Sequence, residues 1–163
     1  MNSSMPSYNI ASPVGLIADT HGLLRDEALV LLQGCELILH LGDVGNKEED
    51  KAILEHLEAL APVHCVQGNI DTATWAGSLP VHQDIMVNDH HLHLVHRLAD
   101  FDPSTPCDAV LHGHSHKPRN ETQSGKLLFN PGAAGKRRFK LPITLGKLWV
   151  DQRGIRGAII HLL

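Results

Sequence analysis

The sequence predicts an α/β domain in which two sheets pack together with helices outside, and three observations carry that prediction. Strand and helix patterns alternate from Val14 to Asn69, and short strands then follow one another to the end of the chain. No internal repeat, low-complexity tract or linker interrupts the 163 residues, so residues 13–163 read as a single domain. A chain of that size buries enough apolar surface to hold a real core.

Residues 1–12 are polar and are expected to form a flexible leader. VGLIAD (14–19) reads as a buried strand, and RDEALVLLQG (25–34) has helical spacing closed by a glycine. LILHLGD (37–43) is a second buried strand. EEDKAILEHLEALAP (48–62) is the clearest helix, acidic at its start, apolar at Ile53, Leu54, Leu57 and Leu60, and stopped by Pro62. VHCVQGN (63–69) returns to strand. Further strands are expected at 81–87, 91–96, 108–113, 126–130, 143–150 and 155–163.

Composition narrows the class. The chain is 42% hydrophobic and 20% charged, with a net charge of −4, so it has no broad basic footprint for nucleic acid. Aromatic residues make up 4%, which argues against a stacking platform for single strands. Cys35, Cys65 and Cys107 lie far apart with no C-x-x-C pair, as expected for a reducing compartment. The N-terminus lacks the basic and apolar regions of a secretory signal, and no run of apolar residues is long enough to span a membrane. A cytoplasmic protein without a membrane partner is the expectation.

The chemistry concentrates where strands end. VGLIAD runs into Thr20 and His21, LILHLGD ends on Asp43, VHCVQGN ends on Asn69, HLHLVH ends on His96, and DAVLHG opens into His114-Ser115-His116. Ligands of open α/β sheets bind at the carboxyl ends of strands. Residues i and i+2 of an extended segment share a side, so D-x-H and H-x-H can each present two groups to one site. Asp19, His21, Asp43, Asn69, His96, His114 and His116 therefore form a candidate metal-ligand set. Their mixed carboxylate, amide and imidazole donors suit transition metals better than magnesium or calcium. Singly, each has a competing reading: Asp19 as a cap, Asp43 and Asn69 as turn formers, His96 as a core imidazole.

In order, D-x-H, GD, GN, H and GHxH resemble the calcineurin-like metallophosphoesterases. Asn130-Pro131-Gly132 after the last motif is most similar to their small bacterial and archaeal phosphodiesterase branch. The resemblance implies a four-layer αββα sandwich holding two divalent metal ions. By it, Asp19, His21 and His116 hold the first ion, Asn69, His96 and His114 the second, and Asp43 bridges them. Asp43, Asn69 and His96 are also the expected catalytic residues. Manganese is the first expectation for the metal, with nickel, zinc, iron or cobalt as alternatives. The implied reaction is attack on phosphorus in line with the leaving oxygen by a hydroxide bridging the ions. No protein nucleophile is evident, since G-x-S-x-G is absent and no cysteine lies in these motifs.

Two positions depart from the family pattern. Ile70 stands where many relatives carry a histidine able to protonate the leaving oxygen, and Arg97 stands where a glycine usually follows the ligand histidine. Arg97 has two readings, a clamp on a phosphate oxygen or an obstacle to the second ion. His40 and His112 have two readings as well: they orient ligands, or they face away into packing. His91 and His93 share a strand face and mimic a metal pair, but no carboxylate motif adjoins them in sequence, so no site is expected there. GAAGKRR (132–138) departs from the phosphate-loop spacing. Its cations either steer an anionic ester or form a solvated loop, and Arg119 is equally open.

A small phosphate ester, a diester before a monoester, is the expected substrate. The alternative is a phosphoesterase-fold protein-binding scaffold, like the retromer coat subunit, and a nuclease on long nucleic acid is disfavoured by the acidic balance. Trp149 and the terminal IRGAIIHLL could pack internally or present an edge to a second copy, so a homo-oligomer stays open.

Overall fold

A computed structural model describes residues 5–163. Eleven strands and two helices occur among them: β1 (Ser7–Tyr8), β2 (Val14–Ile17), α1 (Asp26–Leu32), β3 (Leu37–His40), α2 (Lys51–Glu58), β4 (Val63–Cys65), β5 (His82–Val87), β6 (His90–Val95), β7 (Ala109–Leu111), β8 (Arg119–Gln123), β9 (Lys126–Asn130), β10 (Thr144–Asp151) and β11 (Gly154–His161). They build two mixed sheets, one in the order β11-β10-β2-β3-β4 and one in the order β1-β5-β6-β7-β9-β8. β2, β3 and β4 are mutually parallel, as are β6, β7 and β9, so these strands deliver their carboxyl ends together.

Period-two alternation sorts the side chains into layers. Leu16 and Leu39 of the first sheet face Leu92, Leu94, Leu111 and Phe129 of the second, all without solvent exposure. Ile17 and Ile38 point the other way, onto Ala28 and Leu32 of α1 and onto Ile53, Leu54 and Leu57 of α2. Burying each such side chain contributes about 1.5–3 kcal/mol, which is why the order of apolar residues decides the layering. α2 is shorter than the 48–62 expected, because Glu48–Asp50 turn as a 3₁₀ helix while the Asp50 carboxylate accepts the Lys47 N–H at 2.9 Å.

The outer face of the second sheet carries less than the resemblance implied. Among the described residues no α-helix covers it. Val95, Val110 and Leu128 are capped instead by Leu98, Phe101 and Cys107 from the short proline-containing segment 97–107, whose regular structure is the 3₁₀ turn Leu98–Asp100.

Of the expected leader, residues 1–4 lie outside the described residues. Ser7–Tyr8 pair in parallel with Met86 and Val87, and the Tyr8 hydroxyl lies 2.6 Å from His64 Nε2. The described part of that segment is thus fastened to the sheet edge by backbone pairing that no hydrophobic alternation announced. Of the C-terminal strands, β11 pairs along the whole of β10, and the Asn120 side chain of β8 donates to Gly157 O at 2.8 Å. No helix of the described residues is long and apolar enough to cross a membrane.

Candidate metal centre

The carboxyl ends of β2, β3, β4, β6 and β7 open into five loops that are stitched to one another. Asp19 N–H donates to Gly42 O, His21 N–H to Asp43 O and Gly113 N–H to His96 O, each at 3.0 Å. Five residues on these loops, Asp19, His21, Asp43, His114 and His116, hold φ between +46° and +73°. That region is sparsely populated for side chains without glycine's freedom, and strain of this kind concentrates at functional sites. Gly42, at φ +100°, is required for space: a Cβ there would stand 2.6 Å from His96 Nδ1.

All seven residues singled out from the sequence come together. Asp19, His21 and His116 form one group whose donor atoms lie within 4.8 Å of one another, and Asp43, His96 and His114 form a second. Asn69 joins the second group, its Oδ1 lying 3.1 Å from both His96 Nε2 and His114 Nδ1. Asp43 touches both groups through one atom, with Oδ2 3.3 Å from His21 Nε2 and 3.2 Å from His96 Nε2.

Each carboxylate divides its oxygens between architecture and site. Asp19 Oδ2 accepts the His114 N–H at 3.1 Å, leaving Oδ1 facing His21, His96 and His116 at 3.7–3.9 Å. Asp43 Oδ1 accepts the Ile70 N–H at 3.0 Å and leaves Oδ2 free for the site. His96 Nδ1 donates to Leu41 O at 2.7 Å, which fixes the tautomer and turns the Nε2 lone pair inward.

The electrostatics call for a cation. Asp19 Oδ1, His21 Nε2 and His116 Nδ1 are buried without a hydrogen-bond partner, a costly condition that a bound ion relieves at the first two. The Asp19 and Asp43 carboxylates push the His21 imidazole up to about 9, so without a metal the pocket captures a proton in its place. Burial opposes ionisation of Asp43, but His21 and His96 outweigh it and hold the carboxyl below its usual range. His96 is raised, burial being outweighed by Asp43 and Asp19, whereas His116 is lowered by burial. Buried oxygens and imidazoles of this composition fit divalent transition metals.

The remaining candidates separate. His40 serves the site's frame: the Gly42 N–H donates to its Nδ1 at 3.1 Å, its Nε2 lies 3.1 Å from Thr20 Oγ1, and that hydroxyl donates to Val44 O at 2.8 Å. His112 is buried with neither ring nitrogen paired and lines a cavity of about 570 Å³ with Arg97, Lys117 and Arg119. Arg97 forms a bidentate pair with Asp100, 3.1 Å at each contact, so its guanidinium is tied to its own turn. His91 and His93 meet a carboxylate after all, since Asp84 Oδ1 lies 2.7 and 2.8 Å from them on the neighbouring strand.

Two supporting residues went unrecognised in the sequence. Asp71 accepts backbone N–H groups from Asp43, Gly45 and Gly68 at 2.8–3.2 Å, and burial raises its carboxyl. Asn130, noted only as part of a motif, donates to Gly113 O and Ser115 Oγ and accepts the Gly132 N–H, which positions the GHSH loop. Each has one near partner, Gly68 for Asp71 and Gly132 for Asn130, but the bonds that tie the site together reach Asp43, Gly45, Gly113 and Ser115, which are distant in sequence.

Comparison with known proteins agrees with this geometry. The family model described as the calcineurin-like phosphoesterase superfamily domain matches residues 13–153. A probable metallophosphoesterase of Methanocaldococcus jannaschii is 31% identical over 158 residues, covering 86% of this chain and 77% of its own. Among solved structures, an archaeal phosphodiesterase superposes with a TM-score of 0.73 at 20% identity, over 91% of this chain and 99% of that one. Zinc-complexed Vps29 of Entamoeba histolytica superposes at 0.68 with 19% identity, over 93% and 99%.

Proposed function

Because the chain belongs to the calcineurin-like phosphoesterase superfamily, we propose that it is a dinuclear metal-dependent phosphodiesterase acting on a small phosphate ester. The observation that carries this reading is the position of Asp43 Oδ2, within 3.3 Å of a nitrogen in each ligand group. In it, Asp19, His21 and His116 hold one ion, Asn69, His96 and His114 hold the other, and Asp43 is shared. Divalent ions at these positions supply Lewis acidity and lower the pKa of water, the chemistry phosphoryl transfer needs at neutral pH.

The chain's own residues do the rest. Asp19 and Asp43 supply the negative charge that assembles the centre. His96, locked by Leu41 O, keeps its Nε2 aimed at the second position. Asn69 contributes a neutral oxygen there, so the second position carries less negative charge than the first. No histidine follows Asn69, so the leaving oxygen receives no strong acid from that point, which favours esters with acidic leaving groups. Manganese is the ion proposed, with nickel, zinc, iron or cobalt as alternatives, and a cytoplasmic location is proposed with it.

The second reading is a protein-binding scaffold, favoured by the fold shared with Vps29. A scaffold has no need of seven converging ligands, which supports the enzyme. Steady-state kinetics of the metal-restored protein on bis-p-nitrophenyl phosphate and p-nitrophenyl phosphate test the choice. The diester should have the higher kcat/KM; a faster monoester removes the phosphodiesterase assignment, and hydrolysis of neither favours the scaffold.

A further inference from the structure

The glycine-rich segment after β9 does not end in solvent unattached. Residues 131–135 are buried, and a Cβ on Gly135 would collide with the Thr20 carbonyl, so the segment lies directly on the Asp19-Thr20-His21 turn. Ala134 N–H donates to Ala18 O and Arg25 Nε donates to Gly135 O, both at 3.0 Å. From this rigid root the chain leaves the protein as Lys136-Arg137-Arg138-Phe139-Lys140, every residue exposed.

Two properties of that loop bear on what it could hold. Phe139 is 84% exposed, forgoing the stabilisation its burial would give, and the Arg138 guanidinium lies 5.8 Å from its ring centroid. The arginine ion pairs among the described residues join Arg97 to Asp100, Arg119 to Glu121 and Arg156 to Asp151, so neither Arg138 nor the neighbouring Lys117 and Lys140 is neutralised by a carboxylate. Arg138, Phe139 and Lys140 line a cleft of about 780 Å³ whose opposite wall is Ser115 and Lys117, inside and just after the GHSH ligand segment. Clustered cations without carboxylate partners beside a solvent-exposed aromatic ring repel one another until a polyanion meets them. A ring that stacks on any base, flanked by cations that follow a phosphate backbone, is how single strands are held without sequence preference.

We propose that the 136–140 loop is a binding platform for single-stranded nucleic acid, stacking a base on Phe139 and pairing its flanking phosphates with Arg138, Lys140 and Lys117. This deepens the phosphodiesterase reading and rests on it, because the cleft shares Ser115 with the GHSH segment. The sugar hydroxyl of a backbone diester is a poorer leaving group than p-nitrophenolate, so kcat on oligothymidylate should be lower than on bis-p-nitrophenyl phosphate, with the platform raising kcat/KM through binding. In the reaction, water adds across one P–O ester bond. A new P–O bond forms to the water oxygen, the ester P–O bond breaks, and the products are a phosphate monoester and a hydroxyl that carries away one water proton. The chain's overall negative charge and low aromatic content argued against nucleic acid. The platform is local, and the balance of the whole chain conceals it.

The test uses manganese-loaded full-length protein and a fluorescein-labelled phosphorothioate oligothymidylate, which resists hydrolysis, read by anisotropy at low and moderate salt. Wild type should bind with an affinity that falls steeply with salt. Phe139→Ala should weaken binding at least about fivefold, and Arg138→Ala with Lys140→Ala at least about tenfold. The ratio of kcat/KM for unmodified oligothymidylate over bis-p-nitrophenyl phosphate should fall at least tenfold in the double variant. Absent binding, binding indifferent to both variants, or preferential binding to phosphatidylserine vesicles overturns the platform. If the oligonucleotide binds through the loop while bis-p-nitrophenyl phosphate is never hydrolysed, the platform stands and the phosphodiesterase reading fails. Hydrolysis of the small diester without loop-dependent binding has the opposite meaning.

Discussion

The Asp71 carboxylate accepts the backbone N–H of Asp43 at 2.9 Å, and the same group takes the N–H groups of Gly45 and Gly68. One buried side chain thereby joins the loop after β3 to the loop after β4 and fixes the backbone of Asp43. Asp71→Ala strands three buried donors, so it should cost at least about 2 kcal/mol of unfolding free energy. That corresponds to a fall in Tm of roughly 4–8 °C. Metal-dependent turnover should fall with it, and urea denaturation beside a hydrolysis assay measures both. Wild-type stability and turnover in the variant would show that the loops need no such tie.

His40 predicts a pH dependence. Burial lowers it to about 3, and its pairing with the Gly42 N–H requires a neutral Nδ1. The unfolded chain titrates near 6.5, above the folded value, so between those values the unfolded state binds the extra proton. Stability from this group is complete above about pH 6.5 and is lost as pH falls, by at most about 1.4 kcal/mol per pH unit. Denaturation of metal-free wild type and His40→Asn across pH 6.5 to 4 should show the steeper decline in wild type. Parallel curves would mean that His40 protonates without resistance.

The histidines of β6 give the contrasting case. Asp84 faces His93 across the β5–β6 ladder and also contacts His91, on the outer face of the sheet away from the metal centre. The carboxylate is more than a third exposed, so Asp84→Ala should cost no more than about 1 kcal/mol. Metal-restored kcat should match wild type, as it should in His64→Ala, whose partner is Tyr8. A large loss of turnover in Asp84→Ala would place that cluster in the reaction.

How much of this was readable follows from the range of each interaction. The seven candidate ligands were legible because each lies at or just beyond the carboxyl end of a strand. The i, i+2 rule for extended backbone does not explain how they meet, since Asp19, His21, His114 and His116 are left-handed and His114 and His116 join different groups. The left-handed conformations at Asp19, His21, Asp43, His114 and His116 were not legible, since no local rule assigns positive φ to aspartate or histidine in those positions. β8 was missed because Arg119–Gln123 is wholly polar and its ladder partner, β9, alone defines it. β1 is two residues long and exists through pairing with β5. The fourth layer implied by the resemblance is here the segment between β6 and β7, whose regular structure is the 3₁₀ turn Leu98–Asp100. Asp71 and Asn130 illustrate the general limit: a carboxylate or amide that organises distant backbone looks, in sequence, like any other polar residue near a turn.

If Asp43 serves both ligand groups, ion uptake and turnover must both depend on its carboxylate. Metal-stripped wild type and Asp43→Asn are titrated with manganese by calorimetry, and each point is assayed for bis-p-nitrophenyl phosphate hydrolysis. Wild type should take up two ions per chain and gain turnover as they bind, whereas Asp43→Asn should keep its fold and lose more than about a hundredfold in kcat. Equal turnover in the variant, or full activity with a single ion bound, would contradict the shared-carboxylate centre.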